Sequence, residues 1–155
     1  MPVFDHLVYW KDGAPRKGSE NMAIDQCLLE QIGAHPVLRV YQWTEPSVSF
    51  GYFHKLAEVK QAYPPGDTAP IHYVRRWTGG GIVDHRVDLT YTLVVPLNDE
   101  LGYTRGAASY HVIHRALCTV PPPLGETAAL VEAAGECGTV RFDNQEACAL
   151  VNQAG

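Results

Sequence analysis

The 155-residue chain has the length and composition of one folded domain, and its charge argues against two classes of partner. Hydrophobic residues make up 46% of the sequence, which is enough to form a core in a chain of this length. Twelve lysines and arginines against 17 acidic residues give a formal net charge of −5. We therefore expect a single domain over residues 1–155 with no general attraction to nucleic acid or to an anionic membrane.

The sequence shows neither an export signal nor a membrane span. The N-terminal stretch MPVFDHLVYWKDG has no basic region followed by a long apolar run, and no segment approaches the roughly 20 apolar residues of a spanning helix. No two cysteines have the C-x-x-C spacing of zinc fingers or thioredoxins; they are Cys27, Cys118, Cys137 and Cys148. Scattered cysteines of this kind favour reduced thiols, so we predict a soluble, cytoplasmic protein.

The first half of the chain predicts a strand, a helix and two more strands. Residues 4–10 suit a first strand. A helix follows, capped by Ser19, Glu20 or Asn21 and ended by Gly33, and its apolar positions have the spacing of one buried face: Ile24, Cys27, Leu28 and Ile32. Residues 37–43 and 47–50 are β-branched or aromatic runs on either side of a Glu-Pro pair, which predicts strand, turn and strand.

The second half predicts a short helix, three strands and a longer helix. The short helix covers residues 55–61, the strands cover residues 71–76, 81–84 and 89–95, and the longer helix covers residues 107–120 before a run of three prolines. Residues 127–133 remain open between helix and strand. Many strands with two longer helices and short connections indicate an α+β fold, in which the helices pack on a mainly antiparallel or mixed sheet.

The segment RRWTGGGIVDHRVDLTY, residues 75–91, is the strongest candidate for a ligand site. Three consecutive glycines, Gly79, Gly80 and Gly81, allow backbone N–H groups to approach a bulky or charged ligand closely. Arg75 or Arg76 has a planar cationic fork that suits phosphate or carboxylate. Together these groups predict an anion site. A glycine-rich hairpin with solvated arginines remains the alternative.

Other chemistry-bearing residues favour structural roles. His85 and Asp88 lie near the glycine run, where we expect them to hydrogen-bond backbone and fix the loop rather than transfer protons. His111 and His114 lack a third metal ligand at diagnostic spacing, so we expect no metal site, with one ring facing the core and the other solvent. The aromatic residues are expected in the sheet core, with at least one available to wall an acyl tunnel; they are Tyr41, Trp43, Tyr73 and Trp77.

The pattern RR-x-T-GGG-x-V-x-H-x-x-D-L-x-Y resembles the signature of the biotin/lipoate protein ligase superfamily, particularly the catalytic domain of lipoate–protein ligases and the related octanoyltransferases. Two further segments match in the expected order. The stretch from Asn21 to Asp25 resembles the family's early helix start. Residues 38–55, LRVYQWTEPSVSFGYFHK, resemble its strand, proline turn, strand and Gly-x-x-(Gln/His) element.

The resemblance implies an ATP-dependent ligase. In such enzymes lipoate or a related medium-chain acid attacks the α-phosphate of ATP, which arrives with Mg²⁺, and the acyl group passes from acyl-AMP to a lysine of a lipoyl-domain carrier of the E2 or H-protein type. The resemblance would make His85 a supporting residue and Val83 also part of the acyl pocket. It places the adenylate against Arg76, Gly79, Gly80, Gly81, Ile82, Val83 and Asp84.

The chain also departs from the ligase pattern, which leaves two alternatives open. Ligases of the family carry a catalytic lysine in a K-(I/V)-x-G motif after a segment like residues 141–151, whereas no lysine follows Lys60 here, so we expect a C-terminally truncated domain. One alternative is a lipoyl or octanoyl transferase that uses a cysteine thioester. That branch has cysteine where Arg141 stands, which leaves Cys137 or Cys148 as the thiol. The other alternative is a non-catalytic acyl- or adenylate-binding module.

Overall fold

The computed structural model describes residues 2–66, 69–86, 88–104 and 107–119, which form six strands and four helices. The strands are β1 (Val8–Lys11), β2 (Val37–Tyr41), β3 (Ser47–Phe50), β4 (His72–Arg75), β5 (Ile82–Asp84) and β6 (Thr90–Val94). The helices are α1 (Gly18–Glu30), α2 (Leu56–Ala62), α3 (Glu100–Tyr103) and α4 (Ala107–Cys118). None of these helices is long and apolar enough to span a bilayer. The predicted segment at residues 127–133 lies outside the described residues.

The strands form two mixed sheets of three strands each. In the first sheet, β2 is central, parallel to β1 and antiparallel to β6. In the second, β3 is central, parallel to β4 and antiparallel to β5. Half of the pairings between described strands are parallel. The predicted α+β fold is therefore confirmed, and its sheets are mixed rather than mainly antiparallel. The predicted strand, turn and strand at residues 37–50 is not a hairpin, because β2 and β3 belong to different sheets.

The apolar core lies between the second sheet and α2. It is formed by Val48, Phe50, Val59 and Ile71, with Ile82 and two tyrosines packed against it. Successive side chains of a strand point to opposite faces, so Val48 and Phe50 of β3 face this core while its two serines face the other way. All four residues of β3 are buried, because the strand is central in its sheet and covered on both faces.

Helix α1 corrects one prediction about its buried face. Cys27, which the apolar spacing placed inside, is exposed, and the helix ends at Glu30 rather than at Gly33. The side chain that is fully buried on this helix is that of Asn21, in the first turn. The reason is Arg39 of β2, which is 0% exposed and needs polar partners on the helix that covers it.

The two terminal nitrogens of the buried Arg39 guanidinium donate to three side chains and to the Asn21 carbonyl, whereas its Nε has no partner among the described residues. The guanidinium donates to Asp25 at 2.7 Å, to Asp12 at 2.8 Å and to the Asn21 side-chain oxygen at 2.7 Å. Asn21 and Asp25 are four residues apart and therefore share one face of α1. This polar cluster fixes the helix against the first sheet, and an analysis that counts only apolar positions does not find it.

Candidate functional site

A cavity of about 800 Å³ lies next to the predicted glycine segment. Side chains from both sheets and from α1 and α4 line this central cavity. Its volume lies in the range of about 300–1,000 Å³ that is usual for small-molecule sites. The apolar part of the wall includes Val83, Leu93 and Ile113, and the polar part includes Arg76 and the glycine segment. The cavity therefore combines an apolar surface with a cationic, backbone-rich edge.

The glycine loop, residues 78–81, turns two of its carbonyl groups toward the protein. The Tyr52 N–H donates to the Thr78 carbonyl at 3.0 Å, and the Gly51 N–H donates to the Gly81 carbonyl at 3.2 Å. Gly80 has φ of 95°, a conformation that glycine adopts without strain. No contact within the described part of the chain engages the N–H groups of Gly79 and Gly80. These amides are donors that remain for a ligand.

The structure separates the two arginines that the sequence could not tell apart. Arg75 donates to the carbonyl groups of Tyr52 and, at 2.8 Å, His54, and its guanidinium lies over the Phe50 ring. It does not line the central cavity. Arg75 therefore holds the segment that follows β3.

Arg76 is the arginine that lines the cavity. It donates to the Ser49 hydroxyl at 2.8 Å and to the Gly81 carbonyl at 2.6 Å. No carboxylate of the described residues forms an ion pair with it, and burial lowers the pKa of its guanidinium. A desolvated cation without a carboxylate partner attracts an anion or a developing negative charge.

Of the other predicted ligand-binding residues, the structure brings some to the cavity and turns others away. Gly79, Gly80, Gly81 and Val83 line it together with Arg76. Ile82 and Asp84, which were also predicted to contact the adenylate, are not among the residues that line it. Because β5 alternates faces, Ile82 packs on the apolar core and Asp84 pairs with Arg86. Any contact that Ile82 and Asp84 make with a ligand in the cavity is through the backbone.

His85 connects to the glycine loop through side chains rather than through the expected side-chain-to-backbone contact. Its Nε2 lies 2.7 Å from the Ser49 hydroxyl and its Nδ1 lies 2.6 Å from the Asp88 carboxylate. The ring stacks on Trp43, with 4.1 Å between centroids. Ser49 also accepts from Arg76, which donates to the Gly81 carbonyl, so His85 can support the glycine loop through these two residues. Ser49 itself was missed, because a serine inside a strand carries no sequence signal of its position.

A second polar cluster forms another wall of the cavity. The Asp25 carboxylate accepts from the Tyr41 hydroxyl at 2.9 Å and from the Thr92 hydroxyl at 2.6 Å, in addition to Arg39. Burial and the nearby Asp25 charge raise the pKa of Tyr41. This cluster was also missed. The available signal was an arginine within the apolar run of β2, which demands a buried carboxylate.

Two of the remaining predictions can be compared directly with the structure. Trp77 is 63% exposed, so its assignment to the sheet core is wrong, whereas Tyr41 is buried and lines the cavity. His114 is buried and His111 is exposed, as predicted.

Neither a metal-ligand group nor a cysteine is found at the cavity among the described residues. Across the described ranges, no three His, Cys, Asp or Glu residues are grouped closely enough to hold a metal ion. Cys27 does not line the cavity. The predictions for Cys137, Arg141 and Cys148 concern residues that lie outside the described part of the chain.

Comparisons with known proteins agree with this architecture. The family model described as the lipoyl protein ligase A/B catalytic domain matches residues 17–143. Among solved structures, a putative lipoate protein ligase from T. acidophilum with bound lipoic acid superposes with a TM-score of 0.57 at 21% identity. That superposition covers 91% of this chain and 55% of the other. At this identity the likeness shows the fold.

Curated relatives include several octanoyltransferases. Octanoyltransferase LipM of Carboxydothermus hydrogenoformans is 46% identical over 80 residues, 50% of this chain and 29% of the relative. Octanoyltransferase LipM of Symbiobacterium thermophilum is 40% identical over 124 residues, 77% of this chain and 43% of the relative. The chain thus spans less than half the length of these two relatives. The family match covers most of the chain, so the protein belongs to the lipoyl protein ligase A/B catalytic domain family, an enzyme family within the biotin/lipoate ligase superfamily.

Proposed function

We propose that this chain acts as an octanoyltransferase-type enzyme, which moves a medium-chain acyl group from a thioester to a lysine of a lipoyl-domain carrier of the E2 or H-protein type. The observation that carries the proposal is the central cavity, with apolar walls at one part and Arg76 with the glycine loop at another. The named relatives at 40% and 46% identity, both octanoyltransferases, support the choice of reaction class.

Each part of the cavity has a task in this reaction. Val83, Leu93 and Ile113 supply apolar surface for the acyl chain, and each buried methylene contributes about 0.8 kcal/mol. The carbonyl oxygen of the acyl group gains negative charge when a nucleophile attacks. Arg76 and the amides of Gly79 and Gly80 are donors suited to stabilise that charge.

The covalent steps require a thiol. A cysteine thiolate attacks the thioester carbonyl and releases the donor's thiolate, which takes up a proton, and the carrier lysine amine then attacks the acyl-cysteine and releases the enzyme thiol. Cys27 is exposed and does not line the cavity. Residues 141–143 resemble the segment that carries the nucleophile in the cysteine-using branch, and we assign the thiol to one of the two cysteines that flank this segment, Cys137 or Cys148.

A second candidate is the ATP-dependent lipoate ligase, and two observations favour it. Arg141 stands where the family's cysteine-using branch has its nucleophile, and Arg76 with the loop amides forms a site suited to phosphate. The carboxylate of lipoate or octanoate would attack the α-phosphate of ATP and release pyrophosphate with Mg²⁺. The carrier lysine would then displace AMP from the acyl-adenylate. In this reaction Arg76 and the backbone of residues 79–84 would bind the adenylate.

One assay distinguishes these candidates. The purified chain is incubated with an unmodified lipoyl domain and either octanoyl thioester of acyl carrier protein without ATP, or octanoate and lipoate with ATP and Mg²⁺. Intact mass of the lipoyl domain reports acylation. We expect ATP-independent transfer that is lost when Cys137 or Cys148 is changed to alanine. Acylation only with ATP, unaffected by either cysteine change, would replace the transferase by the ligase.

A third outcome identifies a binding module. Octanoate binding without acylation under either condition would contradict both enzymatic assignments and leave the acyl-binding module. Binding is measured by calorimetry with the same preparation, so that an inactive but folded protein is recognised. Arg76→Ala serves as the site control, because it removes the cation while Val83 and the other apolar walls remain.

A further inference from the structure

An uninterrupted line of hydrogen bonds runs from a buried carboxylate to the glycine loop. Asp88 contacts His85, His85 contacts Ser49, and the Ser49 hydroxyl accepts from Arg76. Arg76 then donates to the carbonyl of Gly81. The line therefore ends on the two groups, the cation and the loop, that the proposed function places at the reacting carbonyl.

The direction of every hydrogen bond in this line follows from the donor at one end and the acceptor at the other. Arginine only donates, so the Ser49 oxygen accepts from Arg76 and its own proton is left for the Nε2 of His85. The carboxylate of Asp88 only accepts, so the Nδ1 of His85 carries the ring proton. A neutral His85 protonated at Nδ1 satisfies all three contacts, and each group has one fixed orientation.

Neighbouring groups hold the line in place from both sides. The ring of Trp43 stacks on His85, and the Trp43 indole N–H donates to the Thr90 hydroxyl at 2.7 Å. Thr90 donates to the second oxygen of Asp88 at 3.0 Å, so both carboxylate oxygens are engaged. The side chains of His85 and Asp88 are 7% and 6% exposed. A buried network with its groups paired is rigid.

Serine, histidine and aspartate in this order also form the nucleophilic triad of many acyl-transfer enzymes. Two observations argue against that use here. Ser49 is 1% exposed, and its oxygen already accepts a charge-assisted hydrogen bond from Arg76. That bond withdraws electron density from the oxygen and orients the arginine. The arrangement thus suits the placement of Arg76 better than attack by Ser49.

We propose that Asp88, His85 and Ser49 are positioning residues that hold Arg76, and through the Gly81 carbonyl the glycine loop, in the orientation that receives the charged or carbonyl end of the acyl ligand. The inference rests on the proposed function for the identity of the ligand. The three residues also border the central cavity, but they act on the ligand through Arg76 and the glycine loop. Their removal should weaken recognition of the polar end of a ligand and leave recognition of the chain unchanged.

The test uses two probes of equal chain length and a matched pair of serine variants. Octanoate has a carboxylate for Arg76, and 1-octanol has the same chain without charge. Ser49→Ala removes the hydroxyl that joins His85 to Arg76. Ser47→Ala is the control, because Ser47 is equally buried and two residues away on the same strand face, but its hydroxyl donates to the Glu45 carbonyl instead.

We expect Ser49→Ala to raise the octanoate Kd about ten-fold, equivalent to about 1.4 kcal/mol, and the 1-octanol Kd less than two-fold. Ser47→Ala should leave the ratio of the octanoate Kd to the 1-octanol Kd unchanged. Equal weakening of both probes by Ser49→Ala would mean a general structural role and would overturn the proposal. Mass spectrometry that finds an octanoyl group on Ser49 after incubation with an octanoyl thioester would also overturn it.

A measurement without ligand keeps this inference separate from the proposed function. In nitrogen-15 NMR, the Arg76 guanidinium should be protected from exchange in the wild type and in Ser47→Ala, and lose that protection in Ser49→Ala. If the wild type bound neither probe, the proposed function would fail while the NMR result still decided the positioning role. Equal protection of Arg76 in all three proteins would refute the positioning role.

Discussion

Replacement of Gly51 by alanine should displace the glycine loop while leaving the apolar core in place. Gly51 follows β3 directly, and the loop passes against it. A Cβ at this position would overlap the Gly80 carbonyl oxygen and lie 2.9 Å from the carbonyl carbon of Gly79. These are backbone atoms that no side-chain rotation can move, so the loop itself must shift. The shift would strain the Gly51 N–H bond to Gly81.

The size of the effect follows from this overlap. Insertion of extra atoms into a packed region costs about 1–3 kcal/mol, which for a chain of this length lowers Tm by roughly 2–12 °C. The loss of octanoate binding should be easier to detect than the loss of stability. A misplacement of about 1 Å at a reacting group can cost on the order of 100-fold in rate, and we expect octanoate affinity to fall by at least about ten-fold.

Thermal melting and calorimetric titration with octanoate test this prediction on Gly51→Ala and on a matched control. Gly33→Ala is that control, because a Cβ at Gly33 meets nothing within 4 Å, its φ lies outside the left-handed region and Gly33 does not line the cavity. The control should melt and bind octanoate as the wild type does. Wild-type affinity in Gly51→Ala would refute the idea that this close approach sets the loop.

Four further outcomes follow from the contacts described. Arg76→Ala should weaken octanoate binding by about 2–3 kcal/mol in calorimetry. Because Arg76 is partly buried, the substitution should also lower the free energy of unfolding by about 1 kcal/mol. Wild-type octanoate affinity in this variant would contradict the assignment of Arg76 to the ligand site. Gly80→Val should abolish octanoate binding with modest destabilisation, since Gly80 has φ of 95°; retained affinity in calorimetry would make the glycines purely architectural. Arg39→Met should destabilise the fold by about 3–5 kcal/mol in urea unfolding, because buried carboxylates lose their cation; a change below about 1 kcal/mol would refute this. Hydrogen bonds from Arg16 and Arg39 lower the pKa of Asp12 from 3.8 to about 2. In urea unfolding, the wild type should therefore be more stable than Asp12→Asn by a constant amount above pH 3.8, and this difference in the free energy of unfolding should shrink as the pH falls toward 2. A difference that does not depend on pH would contradict the ion pair.

Most of the secondary structure could be predicted from local patterns. The strand at Ser47–Phe50 and the helix at Leu56–Ala62 lie at or within one residue of the predicted positions. Runs of β-branched and aromatic residues and the positions of glycine and proline suffice for such elements. The start of the first strand at Val8 rather than at residue 4 shows where this reasoning weakens, since strand ends depend on the partner strand.

The residues of the candidate site also differ in whether local sequence patterns could predict them. Arg76, Gly79, Gly80, Gly81 and Val83 could be named from one contiguous motif. Ser49, Asp25 and Tyr41 could not, because they come from other elements that are far away in sequence. Ile82 and Asp84 were included on motif grounds, although a strand turns alternate side chains away from any one surface.

The sequence by itself determined the α+β class, the glycine loop as part of the candidate site and the family to which the chain belongs. Each of these depends on residues that are close together in the chain. The tertiary structure decided which arginine faces the cavity, the pairing of the strands into two sheets, and the burial of Arg39 against α1. It also decided the line of contacts from Asp88 to Arg76. These features require residues up to tens of positions apart to meet, and side chains at one position do not specify which distant partner the fold brings to them.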